Sequence, residues 1–321
     1  MKTSAALAHS ITWKSSKQSY LTALLLADRD LVDDCLRGYA YFRWADDLID
    51  ISLSSRDERT AFLARQKTLI KKLYSGQRPM NLCPEEEMIA DLIAHDRNPD
   101  SGLYSFIHNF MAVIEFDSNR RGHLVNRDEL ATYTVHLANA VMDGLQYFIG
   151  NGYPYPRTPD RTMAVTGAHI MHMLRDMLED IPDGIVNIPV EAIKEHGICM
   201  DDLDNESFCM WVQAQVEKAR QAFQAGKCYI DSIDILRCKL AGIWYLARFE
   251  CILKTIERDK FRLRSEYPEQ HCLAAWIGVA RLGIKATGEY TYNRIRQVLP
   301  GAQRQVALQH EVSMRSYPAI K

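Results

Sequence analysis

The sequence predicts an all-α protein, and three observations support this class. Apolar residues recur with helical spacing along most of the chain, whereas the alternation typical of strands is nearly absent. None of the 11 prolines lies between Pro99 and Pro154 or between Pro189 and Pro268, which leaves room for long helices. With 321 residues, of which 47% are apolar, the chain can bury a sizeable core.

The helical pattern divides into segments separated by clusters of glycine, proline and short polar residues. These breaks fall at residues 75–79, 97–102, 150–156 and 181–184. No break is long or low in complexity and no repeat is visible, so we expect one domain over residues 1–321, with residues 268–321 forming a C-terminal helix and tail. In chain order, we expect helices near residues 17–27, 30–51, 55–74, 84–97, 101–118, 127–150, 159–181, 205–233, 235–260 and 268–297.

Composition excludes several functional classes. The net charge of −2, with both signs mixed along the chain, leaves no basic footprint for nucleic acid. The 8 cysteines show neither C-x-x-C pairs nor metal-ligand spacing, which indicates reduced thiols in a cytosolic protein. The N-terminus lacks the apolar stretch of a signal peptide, and the apolar runs are too short to cross a bilayer. We therefore expect a cytoplasmic protein that binds no nucleic acid.

Two of the expected helices carry the same D-x-x-x-D arrangement of acids. In the first, Tyr39, Arg43, Asp46 and Asp50 follow the spacing i, i+4, i+7 and i+11. This spacing places them within about 60° around a helix axis. The flanking residues are mostly apolar, so the pattern favours a lined cavity over the alternative of a solvated helix face.

The second helix mirrors the first, with His169, His172, Asp176 and Asp180 spaced i, i+3, i+7 and i+11 and Arg175 beside them. Two carboxylates one turn apart repel each other unless a cation lies between them. Mg²⁺ prefers such oxygen ligands, so two facing helices of this kind would form a site that holds a diphosphate. The two histidines either line this cavity or are hydrogen-bonded residues of the core or its rim.

Further residues are candidates for contact with a substrate. Arg43 and Arg175 would bind phosphate oxygens through their forked donors, and they would also neutralise the acids as ion pairs. A third apolar stretch begins at Tyr133 and carries Asn139 and Asp143 at i, i+4. This pair is either part of a pocket wall or a hydrogen-bonded polar pair in a helix packing seam.

These stretches together resemble the squalene and phytoene synthase family, the trans head-to-head isoprenoid synthases. The two acid motifs stand in the order and at the separation that this family shows, with a Tyr-x-x-x-Leu-Ala stretch between them. The resemblance extends from about Trp13 to about Arg264. Its further matches are Ser19-Tyr20 before the first helix, Asp117, and the helix from Tyr245 through Ile252-Leu253 to Ile256-Glu257.

The resemblance implies an all-α isoprenoid synthase fold around one central cavity. It implies Mg²⁺ as the cofactor and an allylic prenyl diphosphate as the substrate. It also implies roles for individual side chains. The metal ligands would be Asp46, Asp50, Asp176 and Asp180, the phosphate contacts Arg43 and Arg175, and the residues beside the leaving diphosphate Tyr39 and Tyr133.

The sequence departs from the family at three places. The family's Gly-Arg-x-Tyr-x-Pro after the second acid motif is here Gly184-Ile-Val-Asn187-Ile-Pro189, without the arginine and the tyrosine. The family's glutamine and asparagine are replaced by His169 and His172. Its Val-Ala-Gly-x-Val-Gly is replaced by Leu-Ala-Asn-Ala-Val-Met over residues 137–142. These changes alter the machinery that joins two long prenyl diphosphates.

We therefore expect a Mg²⁺-dependent prenyltransferase that ionises an allylic diphosphate and transfers the prenyl group to a non-standard small-molecule acceptor. His169, His172, Asn139 or Asp143 would bind this acceptor or take its proton, and an imidazole base would slow the reaction below about pH 6.5. The alternatives are a terpene cyclase acting on one prenyl diphosphate, an ordinary squalene or phytoene synthase, a non-catalytic binding or assembly protein, and a helical redox-metal bundle. Residues 272–286 form either a core helix or a surface that touches a membrane.

Overall fold

In the computed structural model, residues 3–53, 55–96, 101–150, 152–268 and 273–298 are described, and all regular structure within them is helical. The prediction of an all-α protein is confirmed. The helices are α1 (Ser4–Ser15), α2 (Lys17–Leu26), α3 (Val32–Asp47), α4 (Arg56–Tyr74), α5 (Pro84–His95), α6 (Gly102–Arg120), α7 (Arg127–Phe148), α8 (Met163–Asp180), α9 (Val190–His196), α10 (Glu206–Ser232), α11 (Leu236–Arg258) and α12 (Leu273–Val298).

Local capping explains where several helices begin. At the start of α7, Asn126 accepts a hydrogen bond from the Glu129 amide at 2.8 Å, and the Glu129 carboxylate accepts one from the Asn126 amide at 2.8 Å. Ser55 and Glu58 form the same reciprocal arrangement at the start of α4. The sequence analysis did not predict α1 or α9. The latter has only 7 residues, which is too short for a periodic apolar pattern.

The buried side chains form two clusters that share α8, α10 and α11. The first lies mainly among α1, α3, α4, α5, α6 and α7, and the second lies among α8, α9, α10 and α11. A close backbone contact fixes α8 against α10, because a Cβ atom on Gly226 would stand 2.5 Å from the backbone nitrogen of Ala164. A larger residue at position 226 would therefore displace the helix that carries the second acid motif.

Three further expectations concern parts of this architecture. Among the described residues, a helix with the length and hydropathy of a membrane span is not found. The seven cysteines in those residues are free thiols. Helix α12 packs along α11. The expected start of that helix and the C-terminal tail fall at residues 269–272 and 299–321, outside the described residues.

Candidate active site

The first acid motif spans the end of α3 rather than the middle of one long helix. The α-helix ends at Asp47, and residues Leu48–Ser52 form a π-helical turn in which the Leu53 amide donates to the Leu48 carbonyl at 2.9 Å. The expected continuous helix over residues 30–51 is therefore wrong at its C-terminal end. Such π turns are frequent at functional sites. Asp46 lies in the last turn of α3 and Asp50 in the π turn.

The negative charge of the acids in this motif is only partly balanced by neighbouring cations of the protein. Burial and the nearby Asp50 raise the pKa of Asp46 to about 6, against the opposing effect of Arg43. Arg43 lies 3.4 Å from a carboxylate oxygen of Asp46 and also pairs with Asp47. In this structure Arg43 therefore serves as a counter-ion of the acids, which is one of the two roles that its position predicts.

The second acid motif lies in the last turns of α8. Arg175 binds the Asp176 carboxylate through two guanidinium nitrogens at 2.5 and 2.6 Å, and His172 Nε2 lies 3.4 Å from the same carboxylate. Burial and the charge of Asp176 raise the pKa of Asp180 to about 6. Asp180 accepts a hydrogen bond from the side-chain Nδ2 atom of Asn187 at 3.1 Å. The two carboxylates thus face different protein partners, and Asp180 has no cation bound to it within the described residues.

Arg120, at the end of α6, connects the two motifs and was not predicted from the sequence. Its guanidinium forms an ion pair with Asp117 at 2.8 Å and donates to the Asn187 side-chain oxygen at 2.5 Å. Its positive charge opposes the rise in pKa that burial imposes on Asp46 and Asp180, one from each motif. Through Asn187, which also donates to Asp180, the guanidinium is connected to the second acid motif.

Tyr133 and His169 line the same region as Arg120. The Tyr133 hydroxyl donates to Asp117 at 3.3 Å, and its ring contacts the His169 ring with centroids 5.0 Å apart. Burial lowers the pKa of His169 to about 3, and its Nε2 atom is buried without a hydrogen-bond partner. For His169, the expected imidazole titration near pH 6.5 is therefore wrong. His172 is half exposed and stays beside Asp176.

Arg248 on α11 is a second cation that the sequence analysis missed. Burial and the neighbouring Arg175 lower its pKa, and Asp176 and Tyr39 also lie close enough to influence it. No carboxylate in the described part of the chain forms an ion pair with Arg248, and its Nε atom is buried without a hydrogen-bond partner. The available signal was an arginine within the otherwise apolar stretch of residues 243–249.

Asn139 and Asp143 lie on α7, and only Asp143 has strong partners. The Asp143 carboxylate pairs with Arg161 and accepts a hydrogen bond from Ser105, so both of its oxygens are bound within the protein. Asn139 is half-buried and makes no side-chain hydrogen bond to another described residue. Arg161 also borders a narrow, largely apolar cavity between α7, α8, α10 and α11, which is lined by Met142, Leu145, Val165, Tyr229, Ile233 and Tyr245. The roles predicted for Asn139 and Asp143 in substrate binding stay predictions.

The donor set of the cleft is compatible with Mg²⁺. In the part of the chain that the structure describes, no three histidine, cysteine, aspartate or glutamate side chains converge on one point. Mg²⁺ does not require such a cage, because it commonly binds one or two carboxylates and completes its shell with water and substrate phosphates. The raised pKa values of Asp46 and Asp180 indicate acids that an added cation would stabilise. The four-aspartate metal assignment stays a prediction.

Comparisons with known proteins agree with this architecture. A family model described as squalene/phytoene synthase matches residues 13–272. The fold is similar to that of squalene synthase HpnC from Alicyclobacillus acidocaldarius, with a TM-score of 0.65 and 17% identity over 81% of this chain and 95% of that chain. It is also similar to a dehydrosqualene synthase in complex with a ligand, with a TM-score of 0.69 and 16% identity over 90% of this chain and 97% of that chain. No curated protein sequence matches the chain.

Proposed function

Since the chain belongs to the squalene/phytoene synthase family, we propose that it is a Mg²⁺-dependent prenyltransferase with an unusual acceptor. It would ionise an allylic prenyl diphosphate and transfer the prenyl group to a small molecule other than a second identical prenyl diphosphate. The observation that carries this proposal is the acidic cleft itself. Each of two carboxylate pairs, one at the end of α3 and one on α8, contains an aspartate whose pKa burial and its neighbouring acid raise to about 6, and the charge of Arg120 acts on both.

The first step is the departure of diphosphate. Asp46, Asp50, Asp176 and Asp180 would hold Mg²⁺, which when bound neutralises charge on the leaving group. The arginines of the cleft would donate hydrogen bonds to phosphate oxygens. Their forked donors suit this role because they bind two oxygens at once. The allylic carbon–oxygen bond breaks, and its electron pair leaves with the diphosphate.

The second step is the capture of the allylic cation. Aromatic side chains packed against the histidines of α8, including Tyr133 and Phe249, would shield the cation from water. An electron pair of the acceptor then forms the new bond to carbon. His169 is neutral and has an unpartnered Nε2 atom, so it would accept the proton that the acceptor releases or a hydrogen bond from it.

The main alternative is ordinary head-to-head joining of two prenyl diphosphates. The family match and the likeness to a squalene synthase and a dehydrosqualene synthase favour this alternative. Against it stand Ile185 and Asn187, which replace the arginine and tyrosine expected after the second acid motif. Cyclisation of a single prenyl chain is chemically consistent with the same first step.

One experiment separates these functions. The protein is incubated with geranyl, farnesyl or geranylgeranyl diphosphate, with and without Mg²⁺ and with candidate small-molecule acceptors, and both released diphosphate and products are measured. We expect Mg²⁺-dependent release and an acceptor-linked prenyl product. Efficient formation of squalene or phytoene would overturn the non-standard acceptor, and a single-chain cyclic product would identify a cyclase. A complete lack of release would leave a binding or assembly protein.

A further inference from the structure

We infer that Arg120 is a diphosphate-binding residue at the centre of the cleft and that Asn187 positions it. This inference rests on the proposed function, because it concerns the same leaving group. It adds a cation from α6 to a site that the sequence analysis built only from α3 and α8. Three observations support it: the way in which the guanidinium is held, the charge that surrounds it, and the path of the loop after α8.

The guanidinium of Arg120 is held in one orientation. The side chain is only 14% exposed, although it belongs to the last residue of a helix. Asp117, one turn earlier on α6, binds one terminal nitrogen, and Asn187 binds the other. The group also lies over the rings of Phe116 and Tyr133, at 5.8 and 5.3 Å from their centroids. A planar cation fixed in this way loses little entropy when it binds an oxyanion.

The negative charge around Arg120 would be neutralised when divalent cations bind to the aspartates. Arg120 shares Asn187 with Asp180, and its charge opposes the rise in pKa that burial causes at Asp46, Asp50 and Asp180. Divalent cations bound to those acids would neutralise them. Asp117 would then be the remaining counter-ion of Arg120, whose guanidinium would lie beside the metal ions, where a diphosphate must lie to bind them.

The loop after α8 brings Asn187 to this arginine. The Gly122 amide donates to the Gly184 carbonyl at 2.7 Å, which ties the loop to the segment just beyond Arg120. The buried Asn187 side chain then donates to Asp180 and accepts from Arg120. Asn187 thus sets the distance between a motif carboxylate and the cation. Ile185 lies between these two attachments, so its side chain starts next to the end of α6.

The experiment measures anion binding directly. Inorganic pyrophosphate is titrated into the Mg²⁺-loaded protein by calorimetry, and diphosphate release from farnesyl diphosphate is followed in parallel. We expect Arg120→Met to bind pyrophosphate about 10- to 100-fold more weakly, which is typical for the loss of charged hydrogen bonds. Asn187→Ala should weaken binding less, and the double variant should be no worse than Arg120→Met alone, because Asn187 acts through Arg120.

Two further variants make the test specific. Ile185→Arg in the Arg120→Met background should restore at least about tenfold of the lost pyrophosphate affinity, since it supplies a guanidinium from the loop that carries Asn187. Arg127→Met, which removes an exposed arginine paired with Glu195, is the matched control and should bind as the wild type does. If Arg120→Met does not fold, the same titration is made with Arg120→Lys. Lysine keeps the positive charge but lacks the two parallel N–H donors of the guanidinium, so weaker pyrophosphate binding is expected there too.

The outcomes separate this inference from the proposed function. If Arg120→Met binds pyrophosphate as tightly as the wild type, the role of Arg120 is overturned, whatever the catalytic activity. The same holds for Arg120→Lys where that variant is needed. Wild-type protein that binds pyrophosphate through Arg120 but releases none from any allylic diphosphate would overturn the proposed function and leave the anion site standing. A wild type that binds no pyrophosphate with Mg²⁺ present would overturn both.

Discussion

Asp143 on α7 and Arg161 in the 3₁₀ turn before α8 form a buried ion pair, with each side chain only 9% exposed. Arg161 also donates to Gln146, and Ser105 on α6 donates to Asp143. The pair fixes the turn that precedes α8 against α7. The pair therefore helps to fix the turn that leads into the helix of the second acid motif.

We predict that Asp143→Asn destabilises the protein strongly. The substitution leaves the Arg161 guanidinium buried without a full counter-charge, which costs about 3–5 kcal/mol of unfolding free energy. Urea denaturation followed by circular dichroism measures this loss. Asp160→Asn, one residue before Arg161 but exposed, is the control and should change the unfolding free energy by no more than about 0.5 kcal/mol. A loss below about 1 kcal/mol in Asp143→Asn would show that the pair is dispensable.

We predict that Asp46→Ala and Asp176→Ala each abolish Mg²⁺-dependent diphosphate release while the fold is retained. Asp46 has a pKa raised to about 6 by burial and by Asp50, so its removal relieves repulsion and the melting temperature should hold or rise. Asp47→Asn is the control, because Asp47 pairs with Arg43 but is outside the D-x-x-x-D pair. Release within a few-fold of wild type in both alanine variants would contradict the metal assignment.

Arg248→Met should weaken substrate binding without loss of stability. The buried Nε atom of Arg248 lacks a partner, and no carboxylate in the described residues forms an ion pair with this side chain. Removing the charge therefore breaks no ion pair there, and the melting temperature should be unchanged or higher. The KM for the prenyl diphosphate should rise about tenfold if Arg248 binds phosphate. Lys254→Met, on the exposed side of the same helix, should leave KM unchanged.

The pH dependence of the unfolding free energy tests the role of the buried carboxylate of Glu86, which lies on α5. Burial alone would raise the pKa of Glu86, but hydrogen bonds from Arg65, Gln66 and the Cys83 amide lower it to about 2. Because the folded-state pKa lies below the unfolded value of about 4.3, Glu86 contributes stability above that value. This contribution is lost as the pH falls towards 2.

Glu86→Gln should therefore lower the unfolding free energy by about 2 kcal/mol at pH 7 and by much less at pH 2.5. Denaturant melts at the two pH values measure the difference. Glu87→Gln is the matched control, since Glu87 pairs with Arg78 at a half-exposed position where ion pairs contribute little. An equal loss at both pH values would show that the carboxylate charge is not responsible.

The sequence predicted those features of the fold that are local. Periodic apolar faces located ten of the helices, and the spacing of the acids correctly placed Asp176 and Asp180 on one helix, α8. The π turn at Leu48–Ser52 was not predicted, because an α turn and a π turn accept the same local pattern of residues. Helix α9 was missed because it is short.

The cations of the site depend on tertiary structure and so were not visible in the sequence. Arg120 and Asn187 are 67 positions apart and meet only because the loop after α8 passes the end of α6. Arg248 lies in a helix whose mostly apolar sequence predicts a core helix. Its proximity to Arg175 arises from the packing of α11 against α8. Sequence spacing specifies which residues share a helix face, whereas the composition of a cleft between helices depends on how those helices pack.

The final prediction concerns His169 and His172, which precede Asp176 on α8. In the double variant His169→Gln with His172→Asn, we expect product formation to fall while Mg²⁺-dependent diphosphate release is largely retained. The reason is that the imidazoles would serve the acceptor, whereas the carboxylates and arginines serve the leaving group. Product is measured by mass spectrometry and diphosphate by a coupled assay. His108→Gln, on the exposed face of α6, is the control.

The pH profile tests the protonation state of His169. Burial lowers the pKa of His169 to about 3, so this imidazole stays neutral from pH 8 down to about pH 4 and cannot itself slow the reaction in that range. A group whose folded-state pKa is lowered gives up its proton more readily, and so the neutral base persists to lower pH. His169→Gln alone should therefore reduce product formation by a similar factor at pH 5 and pH 8. A product yield that is unchanged in the double variant would return both histidines to a structural role in the wall of the cleft.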